Sequence, residues 1–283
     1  MWRLLLLVPL LVVPVLPELP DTGKGLAGKP TAHQLQEQGA SWWHHWRPCR
    51  EGEAATGCVD HVKAEWTLYE GPSFYGDLDN MRERLALCEA GWFMFGDEYR
   101  LQGWTVDDQV ADLAWFVAER DAVNPACKIA FGGVEPWHPS TGSNADWVAE
   151  FAEAYQDRYG HLPPVDAVMI DAYEWLWYRP DTFPEAEEMI AEIRRVYGDD
   201  VQVWAREIGS LLPGRAQDAI AHMGTITPLL DRWAFFITND TNEGWGYTAL
   251  YDRDGNITPV GTKYARWVEP EVYRVYLPQV DSG

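Results

Sequence analysis

The fold is most constrained by a regular alternation of short apolar runs with amphipathic stretches. One such stretch carries Leu78, Met81, Leu85 and Cys88 on a single helix face, which predicts a helix between two of the runs. Repeated strand–helix alternation predicts an α/β protein with a mainly parallel sheet. The strand count is compatible with an open doubly wound sheet and with a (β/α)8 barrel. The runs that we interpret as strands are Ala40–Trp46, His61–Leu68, Trp92–Asp97, Lys128–Val134, Asp166–Tyr173, Val201–Glu207 and Arg232–Thr238.

Charge and motif content exclude several ligand classes. The chain carries 44 Asp and Glu against 22 Lys and Arg, a net charge of -22, and so acidic a protein repels phosphate backbones. No glycine-rich phosphate-binding motif follows a predicted strand, which removes the main support for nucleotide binding. The sequence has 16 Trp, and indole rings stack on the flat apolar faces of sugars. We therefore expect a neutral ligand and no nucleic-acid partner.

The first residues resemble an export signal. Arg3 precedes an apolar run over residues 4–16, which is too short for a membrane span of about 20 residues and suits a signal peptide core. We predict a signal peptide over residues 1–20, an N-terminal extension over 21–38 and one domain over 39–283. The protein would be secreted or at the cell surface. The alternative is an uncleaved membrane anchor.

Four cysteines fit an exported protein. Cys49 and Cys58 bracket a short loop and form a plausible disulfide. Cys88 and Cys127 each lie just before a predicted strand, so they either pair across neighbouring strands or stay buried as free thiols. None of the four has the spacing of a zinc site.

Acidic residues end two predicted strands. Asp97 and Glu98 follow the run that begins at Trp92, and Glu207 lies near the end of the run that begins at Val201. Hydrolysis of a glycosidic bond needs a proton donor and a second carboxylate, and strand ends meet at one face of a barrel. The structural alternative is that these acids cap helices or pair with arginine, for which Arg206 is available.

An ordered set of segments resembles one enzyme family. The segments are Gly39–Trp46, His61–Trp66, Phe95–Glu98, Val165–Tyr173, Val203–Gly209, Trp233–Phe236 and Leu250–Tyr264. Together, over about residues 39–267, they resemble the small endo-β-1,3-glucanases of glycoside hydrolase family 128, within the clan A barrels. The resemblance implies a single-domain (β/α)8 TIM barrel and a retaining hydrolase of β-glucan-type polysaccharide that needs no cofactor. It also implies that Glu98 is the general acid/base and Glu207 the nucleophile.

Further residues are expected to bind the sugar. Trp42 and Trp46 share one face of the first predicted strand, while Trp137 and Trp245 lie in loops after strands, where they would stack on sugar rings. Ordinary packing is the alternative for such residues. The residues predicted to bind substrate are Asp97, Trp42, Trp46, Asp171, Tyr173, Trp137 and Trp245. Glu174 is the spare carboxylate if Glu98 or Glu207 is wrong, and we expect a monomer whose partner is an oligosaccharide or polysaccharide.

Four positions depart from the family pattern. Asp97 replaces an Asn that, in the family, helps to hold the sugar 2-hydroxyl. The other three replacements are Tyr99 for a Pro, Asp171 for a His and Arg206 for a Thr. Negative charge beside Glu98 and positive charge beside Glu207 suit an acid and a nucleophile. The same changes would also fit a non-catalytic carbohydrate-binding protein on a diverged barrel, or, with an uncleaved leader, a surface-anchored structural protein.

Overall fold

Eight parallel strands close into one barrel. The computed structural model describes residues 23–46, 57–62, 78–88, 91–96, 98–100, 103–138, 142–174, 184–210, 212–239 and 246–267. The strands in chain order are β1 Lys24–Ala27, β2 Trp42–His44, β3 Cys58–Val62, β4 Trp92–Phe95, β5 Lys128–Val134, β6 Trp137–His138, β7 Gly142–Ser143, β8 Ala167–Glu174, β9 Gln202–Ser210 and β10 Arg232–Phe235. All but β6 and β7 belong to the barrel, in which β1 pairs with both β2 and β10. The predicted (β/α)8 barrel is confirmed, and the open sheet is excluded.

Helices follow most strands, as the alternation predicts. They are α1 Ala32–Gln38, α2 Leu78–Leu87, α3 Val106–Val123, α4 Trp147–Tyr159, α5 Pro184–Tyr197, α6 Ala216–Ile226 and α7 Pro259–Arg266. Helix α3 starts at a capping box, in which Thr105 accepts from the backbone of Asp108 and the Asp108 side chain accepts in return. Among the described residues, every helix is too short or too polar to span a lipid bilayer.

The barrel begins earlier than the sequence patterns predict. Strand β1 and helix α1 lie within residues 21–38, which were predicted to be an extension, so the barrel starts at Lys24 rather than at residue 39. The run predicted as the first strand supplies β2. Strand β1 has only four residues, and two parallel neighbours hold it in place. The predicted signal peptide lies outside the described residues.

Apolar side chains fill two layers, an inner layer inside the barrel and an outer layer between the barrel and the helices. Met94, Met169 and Trp204 point into the barrel, while Phe95 and Phe131 belong to the layer between barrel and helices. Successive residues of a strand point to opposite faces, so each strand serves both layers.

Disulfide bonding is confirmed for the second cysteine pair. Cys88 and Cys127 form a bridge with a Cα–Cα distance of 5.8 Å, ahead of the neighbouring strands β4 and β5. Free thiols at these positions are therefore excluded. Cys58 is also disulfide-bonded. Its predicted partner, Cys49, lies outside the described residues.

Candidate active site

Strand β9 contains a bulge that turns two consecutive polar residues toward the barrel mouth. Ile170 of β8 pairs with Ala205, but the next residue, Asp171, pairs with Glu207, so Arg206 is the extra residue. Ala205 and Ile208 both pack in the outer layer. The bulge leaves Arg206 and Glu207 together on the inner side, as bulges beside active sites often do.

Glu207 is held by one donor just after β2 and another in β8. The indole Nε1 of Trp46 donates to Oε1 at 3.1 Å, and the hydroxyl of Tyr173 donates to Oε2. Arg206 Nη2 lies 3.7 Å from Oε1, and the side chain of Glu207 is almost completely buried. A buried carboxylate needs hydrogen bonds and a positive charge to remain ionised, and Glu207 has both. This arrangement fixes the orientation of a negatively charged group at the mouth.

Tyr173 remains a hydrogen-bond donor at any ordinary pH. Burial raises the pKa of its hydroxyl well above the usual value, and the negative charges of Glu207 and Asp171 raise it further. The hydroxyl therefore keeps its proton and directs it to Glu207. Tyr173 was predicted as a sugar-binding residue, and the structure places it against the predicted nucleophile.

Arg206 and Asp171 form a buried ion pair. Nε and Nη2 of Arg206 donate to the two carboxylate oxygens of Asp171 at 2.8 and 2.6 Å, and both side chains are buried. The backbone oxygen of Arg206 accepts a hydrogen bond from His44 Nε2 at 2.8 Å. Two of the departures from the family pattern therefore compensate each other. The prediction that Asp171 binds sugar is wrong in this structure, because its carboxylate is enclosed and bound to Arg206.

Gly133 makes room for the guanidinium of Arg206, and Gly96 accepts a hydrogen bond from it. A Cβ atom on Gly133 would lie 2.8 Å from Cζ of Arg206, and a Cβ on Gly96 would lie 2.5 Å from the backbone oxygen of Gly132. Gly96 and Gly133 also have positive φ angles, of 105° and 79°. The oxygen of Gly96 accepts from Arg206 Nη1 at 3.3 Å.

Glu98 follows β4 at the same end of the barrel. It has a positive φ of 46°, and its backbone N–H donates to the oxygen of Gly133 at 2.8 Å. Its charge helps to raise the pKa of Tyr173, which also contacts Glu207. The structure thus brings the two predicted catalytic glutamates into one cluster, with Glu98 after the fourth barrel strand and Glu207 within the seventh. Asp97 lies outside the described residues.

Glu135 is a member of this cluster that the sequence patterns missed. It follows β5 and is 3% exposed, and neither of its carboxylate oxygens has a hydrogen-bond partner among the residues that the structure describes. Burial raises the pKa of its carboxyl to about 9, and the charges of Glu98, Asp171 and Glu207 add to the effect. The signal was present, because Glu135 ends the predicted strand Lys128–Val134 just as Glu98 ends its own.

The predicted tryptophans have different positions. Trp46 is half-buried and reaches Glu207, whereas Trp42 is 2% exposed and packs inside the barrel, with its ring centroid 5.5 Å from that of Trp204. The prediction that Trp42 stacks on sugar is therefore wrong in this structure. Trp137 is half-buried in β6, directly after Glu135 and Pro136. Trp245 lies outside the described residues, as does the side chain of Glu174 at the end of β8.

A match to a family model covers Glu135, Asp171, Tyr173, Arg206 and Glu207 of this cluster, whereas Trp46 and Glu98 precede the matched residues. Residues 107–264, more than half of the chain, match the model of the glycosyl hydrolase catalytic core. The chain belongs to this glycosyl hydrolase family. No curated protein matches the sequence. Family membership makes the protein a glycoside hydrolase, and the cluster at the barrel mouth is its candidate active site.

Solved structures with the same fold include several of family GH128. A subgroup II endo-β-1,3-glucanase from Pseudomonas viridiflava has a TM-score of 0.61 and 18% identity, covering 87% of this chain and 98% of that one. A subgroup III curdlan-specific exo-β-1,3-glucanase from Blastomyces gilchristii, in complex with glucose, has a TM-score of 0.62 and 18% identity, with 87% and 99% covered. A subgroup VII oligosaccharide-binding protein from Trichoderma gamsii has a TM-score of 0.58 and 17% identity, covering 88% of this chain and 95% of that one. At these identities the likeness concerns the fold of this glycosyl hydrolase.

Proposed function

We propose that this glycosyl hydrolase is a secreted retaining enzyme that cleaves a β-glucan-type polysaccharide with Glu207 as nucleophile and Glu98 as acid/base. The observation that carries the proposal is the set of donors around Glu207. Trp46, Tyr173 and Arg206 keep this carboxylate charged and oriented, which a nucleophile needs. Glu98 has a half-buried side chain in the same cluster, where it is available to exchange protons.

The reaction takes two steps in this proposal. Glu207 attacks the anomeric carbon and forms a glycosyl–enzyme bond, while Glu98 gives its proton to the leaving oxygen. Glu98 then removes a proton from water, which attacks the same carbon and releases Glu207. The charge of Glu207 is lost when its oxygen bonds to the anomeric carbon. The hydrogen bond from Tyr173 stabilises the carboxylate that re-forms and so supports its departure when the glycosyl–enzyme bond breaks.

A neutral glucan is the preferred substrate class. The net charge of -22 disfavours an anionic polysaccharide. Half-buried Trp46 and Trp137 are aromatic side chains available near Glu207 and Glu135 for contact with a sugar. Several proteins with this fold are β-1,3-glucanases, so laminarin and curdlan are the first substrates to test. The predicted leader and the Cys88–Cys127 bridge support export.

Replacing Glu207 with Gln tests the mechanism. Glu207→Gln keeps the shape of the side chain but removes the nucleophile, so turnover of laminari-oligosaccharides should fall by about three orders of magnitude or more while binding persists. Release of reducing ends measures turnover, and NMR of the first product anomer measures retention. Glu83→Gln, an exposed change on helix α2, is the matched control and should leave turnover unchanged.

Two results would contradict the proposal. Full turnover in Glu207→Gln would exclude this nucleophile, and an inverted product anomer would exclude the retaining route. The likeness to an oligosaccharide-binding protein supports a second candidate, a binding protein that does not cleave. Calorimetric binding of laminari-oligosaccharides by the wild-type protein, with no reducing ends released, would favour that candidate.

A further inference from the structure

Glu135 enters the barrel mouth because β5 also contains a bulge. Gly132 pairs with Met169, but Val134 pairs with Ile170, so β5 has one extra residue at this point. Val134 packs in the outer layer. Strand alternation then turns Glu135 to the inner side, toward the mouth.

The Glu135 carboxyl is buried without a hydrogen-bond partner inside the described structure. Both oxygens are unpartnered, and the amide of Asn144 donates at 2.8 Å to the backbone oxygen of Glu135 rather than to its side chain. An unpaired buried carboxyl is costly, so natural proteins rarely keep one without a role. The charge of Glu207 acts on the Glu135 carboxyl, so a sugar that reaches Glu207 comes close to Glu135.

The charges around Glu135 favour an uncharged carboxylic acid. Glu98 faces it from the end of β4, Asp171 from β8 and Glu207 from β9. The positive charge that acts on it, Arg206, already uses its Nε and Nη2 on Asp171. A neutral carboxyl group has one donor and one acceptor, which is also what a sugar hydroxyl group offers.

We propose that the carboxyl of Glu135 binds a hydroxyl group of the sugar ring held between Glu98 and Glu207, and so acts as a specificity-determining residue for uncharged sugars. The inference rests on the proposed function. The carboxyl donates its proton to the hydroxyl oxygen and accepts the hydroxyl proton in return. A site that hydrogen-bonds a hydroxyl in this way rejects analogues that lack it, because its own buried groups would stay unpaired.

Two substitutions at Glu135 separate this role from a structural one. Glu135→Gln keeps a donor and an acceptor, so kcat/KM on laminari-oligosaccharides should stay within about three-fold of wild type. Glu135→Met keeps the bulk but loses both, so kcat/KM should fall about ten-fold or more, mainly through KM. The melting temperature of Glu135→Met should not fall, since an unpaired buried carboxyl has been replaced by an apolar group. A lower melting temperature with unchanged KM would assign Glu135 a structural role and overturn the proposal.

Monodeoxy aryl β-glucosides identify the hydroxyl group. For the wild-type enzyme one deoxy analogue should lose about ten-fold or more in kcat/KM, and that loss should disappear in Glu135→Met. Equal losses in both proteins at every position would overturn the proposal. So would a preference for 2-amino-2-deoxy-glucosides that Glu135→Gln abolishes, because Glu135 would then be an anion that binds an ammonium group.

Binding experiments keep this test separate from the proposed function. Calorimetry with laminari-oligosaccharides compares Glu207→Gln with the Glu207→Gln/Glu135→Met double variant, and neither protein needs to turn over. Weaker binding by the double variant supports the role of Glu135 even if the wild type proves unable to cleave. Equal affinities would overturn that role and leave the assignment of Glu207 intact.

Discussion

At the scale of single residues, the site depends on how buried charges are matched. Asp171 and Arg206 each replace a residue of different chemistry in the family pattern, and together they form a two-pronged pair. Burying either charge alone would be strongly unfavourable, whereas the pair satisfies most of its donors and acceptors. The pair also positions Arg206 Nη2 beside Glu207, which links it to the proposed nucleophile.

Removing one partner of this pair should strongly destabilise the folded protein. Asp171→Asn leaves Arg206 buried with reduced compensation, and we expect a loss of about 3–5 kcal/mol in the free energy of unfolding. Urea denaturation measures the loss. Asp218→Asn is the control, because Asp218 pairs with Arg215 with its side chain 53% exposed, and it should cost less than about 1 kcal/mol. Equal costs for the two variants would show that the buried pair contributes no more than a surface pair.

At the scale of secondary-structure elements, the strands that could be predicted from the sequence are those with a clear apolar run of their own. Strands β5 and β9 carry continuous runs typical of a parallel sheet buried on both faces. Strand β1 is the short segment Lys-Gly-Leu-Ala, and contacts from distant residues hold it: Lys24 Nζ donates to the backbone oxygen of Tyr264, and the Tyr264 hydroxyl donates to Gly25. Such contacts cannot be read from a local pattern.

The candidate site likewise contains residues that the sequence could predict and features that it could not. Glu98, Glu207 and Tyr173 could be predicted because each is a polar residue at the end of an apolar run. The pairing of Asp171 with Arg206 depends on the bulge in β9, and the burial of Trp42 depends on which face of β2 turns inward. Neither the bulge nor the facing follows from strand composition, since both are decided by neighbouring strands.

The junction between α7 and β1 should contribute measurably to stability. Tyr264→Phe removes the hydroxyl that donates to the backbone oxygen of Gly25 at 2.8 Å and keeps the buried ring. The free energy of unfolding should therefore fall by about 0.5–1.5 kcal/mol. Tyr159→Phe, at a residue that is 39% exposed, is the control and should have almost no effect. Chemical denaturation of both variants measures the difference, and no loss in Tyr264→Phe would mean that the hydrogen bond adds nothing to barrel closure.

At the scale of the whole molecule, stability depends on pH through an excess of acidic groups. The net charge of -22 opposes compact folding increasingly as carboxyl groups ionise. Glu135 adds a specific contribution, because burial raises its pKa in the folded protein to about 9.

The sign of this effect follows from proton counting. Between about pH 4.5 and 9 the folded protein keeps the Glu135 proton that the unfolded chain releases, so the stabilisation is complete below this window and is lost as the pH rises through it. The free energy of unfolding should therefore fall with pH by up to about 1.4 kcal/mol per pH unit more in the wild type than in Glu135→Gln. Urea denaturation at several pH values measures the slopes. Parallel slopes would show that Glu135 ionises normally in the folded protein.

Closure of the barrel between β1 and β10 has a consequence for the timing of synthesis. Lys24 pairs with Trp233, so the first barrel strand lacks one neighbour until the last strand has left the ribosome. At roughly 5–20 residues per second, that delay is on the order of 10–40 seconds. During this interval a nascent chain has unpaired strand edges, which other chains can bind. An incomplete barrel therefore persists for much longer than the elementary steps of folding take.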